Sequence, residues 1–182
     1  IEDCRGCFHC LRTGRCAIPD EMDGIVERML AADGLVVGSP VRNGNVTALY
    51  KRFYERITYR LGFPLLMEDK QVLAIASVGF AGGKALNRRL LGLQATMHAR
   101  LAGWLFFRVG IPARVGAEEL RPRLTAAADR LVAAIAGRRG RGLGARLAYG
   151  LDRLLLPRLL FAKSPELYAH VLARWREKGY LA

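Results

Sequence analysis

The sequence has no long hydrophobic run. Its longest stretch without a charged residue, QVLAIASVGFAGG at residues 71–83, has 13 residues, whereas a membrane-spanning helix needs roughly 20 apolar residues. No spanning segment is therefore expected. The first residues are acids and cysteines rather than the basic region and apolar run of a secretory signal, so we expect a cytoplasmic protein. With 52% apolar residues, the chain can still bury a proper core.

Two common catalytic patterns are also absent from the sequence. No G-x-G-x-x-G motif follows a predicted strand, which argues against a dedicated dinucleotide-binding Rossmann domain. The three histidines have no serine and acidic partners in a recognisable motif, so a hydrolytic triad has no support. We interpret His98 and His170 as packing or surface residues, and His9 as a partly exposed neighbour of the cysteines.

Acidic residues are scarce in the second half of the chain. Residues 1–83 contain ten basic and ten acidic side chains, whereas residues 84–182 contain nineteen and six, so the net charge of +13 lies entirely in the second half. This asymmetry indicates either an anionic partner or a solvated, arginine-rich surface. Because no nucleic-acid motif accompanies the charge and aromatics are not interleaved with the arginines, we expect no nucleic-acid partner.

Two apolar segments of the second half leave alternatives open. The segment RLAYGLDRLLLPRLLF, residues 146–161, either belongs to the fold or lies on a membrane surface as a basic amphipathic segment. Residues 104–107 and 154–160 are rich in aromatics and leucines, and they supply either an oligomer interface or the rest of the monomer's core.

All four cysteines lie within 13 positions, in the spacing C-x2-C-x2-C-x5-C: Cys4, Cys7, Cys10 and Cys16. In a reducing compartment, such clustering indicates a metal or redox site rather than disulfides. Three thiolates at every third residue can wrap a 4Fe-4S cluster from one side, and the fourth can close it. Zinc bound by four thiolates is the alternative. The spacing favours the cluster, because structural zinc sites more often use two separated C-x2-C pairs.

Short buried strands alternate with helices along the chain. Strands are predicted at residues 35–41, 72–76 and 104–110, and helices at residues 21–33, 46–57, 84–100, 117–136 and 165–178. The glycine-rich residues 137–146 indicate a flexible connection, and Pro157 interrupts the segment that follows. This order predicts an α/β fold with a parallel sheet. Ligands of such sheets bind beyond the carboxyl ends of the strands, where loops 38–45 and 77–83 lie.

Four motifs occur in order within residues 3–83: C-R-G-C-F-H-C-x5-C, D-E-M-x2-I, A-D-G-L-V-V-G-S-P-V and G-N-V-T-A-x2-K-x-F-x-E-R. In this order they resemble the iron-sulfur flavoprotein branch of the NADPH-dependent FMN reductase-like flavodoxin superfamily. The resemblance implies a flavodoxin-like doubly wound sheet in residues 1–136. Residues 137–182 would form a basic helical C-terminal extension.

The resemblance also implies two cofactors, FMN and a 4Fe-4S cluster, with electrons passing between them. The cluster would be held by Cys4, Cys7, Cys10 and Cys16. Two opposing loops would line the flavin: Ser39, Pro40, Val41, Asn43, Gly44 and Asn45 in the first, and Ser77, Val78, Gly79, Gly82 and Gly83 in the second. Ferredoxin or NAD(P)H is the implied electron donor, and a homo-oligomer is the implied assembly.

Two departures from the family pattern stand out. Relatives begin with a strand and a loop that cradles the FMN phosphate, and this sequence starts beyond them, so we expect a sheet that is incomplete at its N-terminus. Arg42 replaces a common aromatic. Its guanidinium either lies beside the flavin, where it would stabilise negative charge on the reduced ring, or points to solvent. The competing hypothesis is a zinc-stabilised basic module that binds nucleic acid or an acidic membrane surface.

Overall fold

The computed structural model describes residues 1–93, 97–112, 114–137 and 140–181. Its helices and strands follow one another as α1 (His9–Thr13), α2 (Met22–Ala31), β1 (Gly34–Pro40), α3 (Ala48–Ile57), β2 (Gln71–Val78), α4 (Lys84–Leu91), β3 (Arg100–Arg108), α5 (Ala117–Ala136), α6 (Leu143–Leu159) and α7 (Ala169–Glu177). A π-helical turn, Thr58–Gly62, continues α3, and a 3-10 turn, Phe161–Lys163, follows α6.

The three strands form one parallel sheet in the order β1-β2-β3. Val72 of the central strand lies opposite Leu35 on one side and Leu101 on the other. Because β2 is covered on both faces, it reads as a nearly continuous apolar run. The predicted α/β fold with a parallel sheet covered on both faces is confirmed. Within the described residues no strand pairs with the outer edge of β1, where Val36 is 62% exposed.

Two cores cover the two faces of the sheet. Val72 and Ala74 point into the core formed with α2, α3 and α4, whereas Leu73 points to the opposite core, formed with α5. This alternation follows from the two-residue period of a strand. The larger core includes Met22, Val26, Tyr50, Tyr54, Ile57 and Leu91, and the smaller one includes Ala102, Leu105, Phe107, Ala127, Leu131 and Ala134.

A third apolar cluster joins the beginning and the end of the chain. Its fully or nearly fully buried members are Leu11, Leu65, Phe161, Val171 and Trp175. The indole Nε1 of Trp175 donates a hydrogen bond to the carbonyl of Phe63 at 2.6 Å. The C-terminal residues thus pack against the cysteine segment, and the division at residue 136 stays a prediction.

The predicted helix at residues 84–100 was wrong in length. Helix α4 ends at Leu91, and Gly92 follows it as the C-cap. Leu93 and His98 then have positive φ angles of 49° and 54°, which a helix does not allow. Residues 94–96 of the prediction lie outside the described residues. Strand β3 accordingly begins at Arg100, four residues before its predicted start.

Three predictions near the C-terminus were also wrong. Helix α6 begins at Leu143, inside the predicted connection, of which residues 138 and 139 lie outside the described part. It continues through Pro157, because a proline this close to the C-terminal end disturbs only the last turn. Helix α7 begins at Ala169 rather than at residue 165, and Ser164 accepts the Tyr168 N–H with its carbonyl instead of capping a helix with its hydroxyl.

None of the helices in the described part of the chain has the length and apolar character needed to cross a membrane.

Candidate functional site

The loops that follow β1, β2 and β3 border one cavity of about 630 Å³ at the carboxyl edge of the sheet. Seven of the eleven predicted flavin-lining residues line it: Pro40, Val41, Asn43, Gly44, Ser77, Val78 and Gly79. The edge is the one at which open α/β sheets bind ligands. The remaining four predicted residues, Ser39, Asn45, Gly82 and Gly83, are not among the lining residues.

The first loop is a tight two-residue turn. The N–H of Arg42 donates to the carbonyl of Asn45 at 2.8 Å, and the N–H of Asn45 donates back at 2.9 Å. Asn43 and Gly44 between them have φ angles of 46° and 76°. Asn-Gly is the preferred sequence for a turn with two positive φ angles. Asn45 therefore supports the loop, and Arg42 lines the cavity beside it.

Ser39 connects the first loop to α3. Its buried hydroxyl accepts a hydrogen bond from the N–H of Thr47 at 3.1 Å and donates to the carbonyl of Pro40 at 2.9 Å. Thr47 in turn caps α3, since its side-chain oxygen accepts the N–H of Tyr50 at 3.2 Å. Ser39 thus fixes the end of β1 relative to the helix that follows it.

The first and second loops touch through Gly44 and Gly83. A Cβ atom built at Gly83 would overlap the carbonyl of Gly44, and the φ of Gly83 is 70°. The amide Nδ2 of the fully buried Asn87 donates to the carbonyls of Gly44, at 3.2 Å, and Gly83, at 2.8 Å. Two loops that are far apart in sequence are therefore held together by one side chain of α4.

A third loop, after β3, was missed by the sequence analysis. Val109, Gly110, Ile111 and Pro112 border the same cavity. A Cβ atom at Gly79 would lie 2.5 Å from the side chain of Ile111, so a larger residue at this position would displace that side chain. The available signal was Gly110, which follows a strand as Gly79 does.

Three glycines, Gly44, Gly79 and Gly110, line the cavity. Glycines bring the backbone close to a bound ring, and backbone amides can then hydrogen-bond it. Phe80 and Ile111 line the cavity and are 79% and 77% exposed, so its rim is apolar. The structure brings the two predicted loops together around this space, and the binding role of each residue stays a prediction.

The four cysteines border a second, small cavity, with Arg56 and Tyr59 in its wall. The segment folds back on itself through left-handed residues, with φ angles of 63° at Gly6, 54° at Phe8 and 77° at Gly14. Burial raises the pKa of the Cys10 thiol to about 11, with the neighbouring Cys16 and Cys4 contributing to the increase.

Four thiols around one space are the donor set that a 4Fe-4S cluster or a zinc ion requires. Among the residues that the structure describes, no three cysteine, histidine or acidic side chains are arranged to hold a metal ion. The four thiols match a metal centre in number but not in their arrangement in this structure, and their role as ligands stays a prediction.

Three arginines hold the cysteine segment against α3 and its π-helical continuation. Arg56 donates to Asp20 and to the carbonyl of Glu2, and Arg60 donates to Asp23 and to the carbonyl of Gly14. Arg52 pairs with Asp3 at 2.6 Å. Sequence reasoning missed this set, although the four-residue spacing of the arginines places them on one helical face.

Similar proteins were found by sequence. An iron-sulfur flavoprotein of Methanocaldococcus jannaschii is 41% identical over 66 residues, which cover 36% of this chain and 34% of the relative. One of Methanosarcina thermophila is 33% identical over 54% of this chain and 51% of the relative. One of Clostridioides difficile is 22% identical over 98% of this chain and 79% of the relative. The first two matches thus span only a third and a half of those relatives.

One similar solved structure is the Trp repressor binding protein from Bacillus subtilis. The superposed part covers 62% of this chain and 72% of the other chain, with 23% sequence identity and a TM-score of 0.48. The sequence profile described as NADPH-dependent FMN reductase matches residues 2–108. That match includes all three strands, both predicted flavin loops and the four cysteines. Because it extends over more than half of the 182 residues, the chain belongs to the NADPH-dependent FMN reductase family.

Proposed function

We propose that the chain acts in an FMN-dependent oxidoreductase in which electrons pass between FMN and a 4Fe-4S cluster. Flavin exchanges one or two electrons and a cluster exchanges one, so together they connect two-electron donors with one-electron partners. NAD(P)H or ferredoxin is the proposed donor. Family membership supports the flavin, and the names of the relatives support the cluster.

The residues around the large cavity would bind and orient the flavin ring. The Asn-Gly turn and the Gly79 loop would hold the ring between them, with Asn87 fixing their separation. Phe80 and Ile111 would exclude water at the rim, because both are apolar and line the cavity. The Arg42 guanidinium would favour negative charge on the ring.

The residues around the small cavity would hold the cluster. Cys4, Cys7, Cys10 and Cys16 would each supply a thiolate, and Arg56 in the same wall would offset part of their negative charge. Tyr59 and Phe8, whose rings lie edge to face at 5.3 Å, would limit the access of water. These roles use side chains that already border the cavity.

The observation that carries the proposal is that one helix, α3, borders the cysteine cavity and is hydrogen-bonded at its other end to the strand that leads into the large cavity. Thr47, at the start of α3, is bonded to Ser39 of the flavin loop, and Arg56, near its end, borders the cysteine cavity. Ten helical residues span about 15 Å. The two sites therefore lie at opposite ends of a rigid element. In a homo-oligomer, which we also propose, the cysteine cavity of one subunit would face the flavin of another.

The test is to purify the protein without oxygen and measure its iron, sulfide, zinc and flavin content together with its absorbance spectrum. Iron and sulfide near four per chain, with flavin, would support the proposal. Cys10→Ala should abolish the iron, whereas the matched control His9→Ala, inside the motif but outside the ligand set, should retain it. A colourless protein with one zinc would refute the proposal and favour a zinc-stabilised basic binding module.

A further inference from the structure

Helix α6 turns its polar side chains toward the body of the protein. The hydroxyl of Tyr149 donates to Glu68, and a carboxylate oxygen of Asp152 lies 2.9 Å from Nε2 of the buried His98. The guanidinium of Arg153 lies 3.7 Å from the centre of the Tyr180 ring. A surface helix normally packs its apolar face inward. In α6 only Tyr149 and Leu156 pack against the third apolar cluster, and most of its leucines do not.

The opposite face of α6 is made of leucines that contact no core. No residue of this helix is fully buried. Six leucines along it are exposed: Leu143 by 75%, Leu147 by 62%, Leu151 by 55%, Leu154 by 49%, Leu155 by 40% and Leu159 by 52%. Their spacing of three and four residues places them on one face. The exposed leucines among residues 154–160 therefore do not complete the monomer's core, and a continuous apolar stripe of this kind marks an interaction surface.

Most of the charged side chains on the exposed surface around this leucine face are cationic. The position of Arg158 along the helix places it on the same face as the exposed leucines. Arg158, Arg146 and Lys163 are all exposed. The acidic residue of α6, Asp152, pairs with His98 at 2.9 Å, and its side chain remains 41% exposed. The outer surface of the helix thus combines leucines with cations, in a chain whose net charge is +13.

We infer that the leucine face of α6 binds an anionic lipid surface. A helix with an apolar face and flanking basic residues lies in the plane of a membrane, with its leucines at the acyl boundary and its arginines among the lipid phosphates. A second copy of the chain fits this face less well. A dimer formed through α6 would bring two positive surfaces together. The leucine face of the second α6 would also offer no acidic partner for Arg158.

The position of α6 leaves the large cavity open. The helix is anchored through Glu68 and His98, which precede the first residues of β2 and β3, and therefore at the amino edge of the sheet. The cavity lies at the carboxyl edge. Lipid binding through α6 would hold the protein at a membrane with this cavity facing away from the lipid.

The inference is tested by sedimentation of the protein with vesicles of phosphatidylcholine alone or with phosphatidylglycerol added. Binding to the anionic vesicles only is expected. The triple variant Leu147→Gln, Leu151→Gln, Leu155→Gln should bind at least tenfold more weakly. The matched control is Leu49→Gln, Leu86→Gln, Val132→Gln, which removes three exposed apolar side chains from α3, α4 and α5 and should bind like the wild type.

Three results would overturn the inference. They are equal binding of the wild type and the α6 variant, equal binding to both vesicle types, and no vesicle binding at all. In the last case, light scattering after size exclusion would show whether a wild-type dimer becomes a monomer in the α6 variant, which would assign the face to a second copy. Flavin and iron content do not enter these measurements, so this test is independent of the proposed redox function.

Discussion

Asp20 and Arg56 form a buried, bidentate ion pair. Both carboxylate oxygens of Asp20 accept from the guanidinium at 2.9 Å, and the side chains are 10% and 1% exposed. Arg56 pairs with a residue just beyond Cys16 and borders the cysteine cavity as well. The pair therefore fixes the position of the cysteine segment against α3.

Asp20→Asn should destabilise the fold by about 3 kcal/mol, because removing one partner leaves a buried charge without compensation. The change would be measured as the free energy of unfolding in urea. Glu118→Gln breaks the exposed Glu118–Arg121 pair and serves as the control, for which no measurable loss is expected. Equal effects of the two substitutions would contradict the assigned role of Asp20.

The same pair predicts an acid dependence. The hydrogen bonds from Arg56 lower the pKa of Asp20 below its ordinary value in the folded state. The resulting stabilisation is present above the unfolded-state pKa of about 3.9 and is lost as the pH falls toward the folded-state value. Wild-type stability should therefore fall more steeply below about pH 4 than the stability of Asp20→Asn.

Gly83→Ala should weaken FMN binding about tenfold or more, since its methyl group would push the Gly44 loop away and its positive φ is strained. Quenching of flavin fluorescence measures the affinity. Gly82→Ala is the matched control, because Gly82 also has a positive φ, 92°, but a Cβ atom added there would meet no other atom within 4 Å. If both variants bind FMN equally well, the contact between the loops does not shape the site.

Arg42→Gln should lower the midpoint potential of bound FMN by on the order of 30 mV, which for two electrons corresponds to about 1.4 kcal/mol. The physical reason is the loss of a positive charge from the wall of the cavity. Spectroscopic redox titration gives the potential. Arg108→Gln removes an equal charge from the end of β3, outside the lining residues, and should leave the potential unchanged.

His98 predicts a pH effect near neutrality. Burial lowers its pKa, with Asp152 opposing and Arg141 reinforcing this shift. The unfolded chain therefore binds a proton more readily, and stability should fall as the pH drops below about 6.5, by up to about 1.4 kcal/mol per pH unit. His98→Asn, which tolerates the positive φ of this position, should remove that part of the pH dependence. If the stability of the wild type and of His98→Asn changes with pH in the same way, His98 is not the source of this pH dependence.

The elements that the sequence predicted best have local signals. Helix α5 matches residues 117–136 to the residue, since Gly116 and Gly137 bound a continuous helical pattern. Strands β1 and β2 were also predicted, because short apolar runs ended by glycine or proline are typical of buried parallel strands. The two predicted flavin loops followed from the ends of these strands and from family motifs.

What the sequence did not predict depends on distant contacts. The apolar pattern of α4 continues past Gly92, but the helix ends at Leu91 with Gly92 as its C-cap, and β3 begins at Arg100. Asn87 bridges two loops from a position that resembles any polar helical residue. In the sequence alone, three arginines resemble solvated surface charges: Arg52, Arg56 and Arg60. Only the folded structure shows that they pair with acidic residues in and beside the cysteine segment. The inward polar face of α6 is likewise visible only in three dimensions.

The free edge of β1 has a consequence for handling the chain in solution. In the part of the chain that is described, this strand has a neighbour on one side only, and Val36 is 62% exposed beside an apolar groove lined by Ile25, Met29 and Leu49. A bare strand edge of this kind is a template for the backbone of another molecule. Concentrated preparations of this chain are therefore expected to form aggregates that grow by the addition of strands, faster as protein concentration rises.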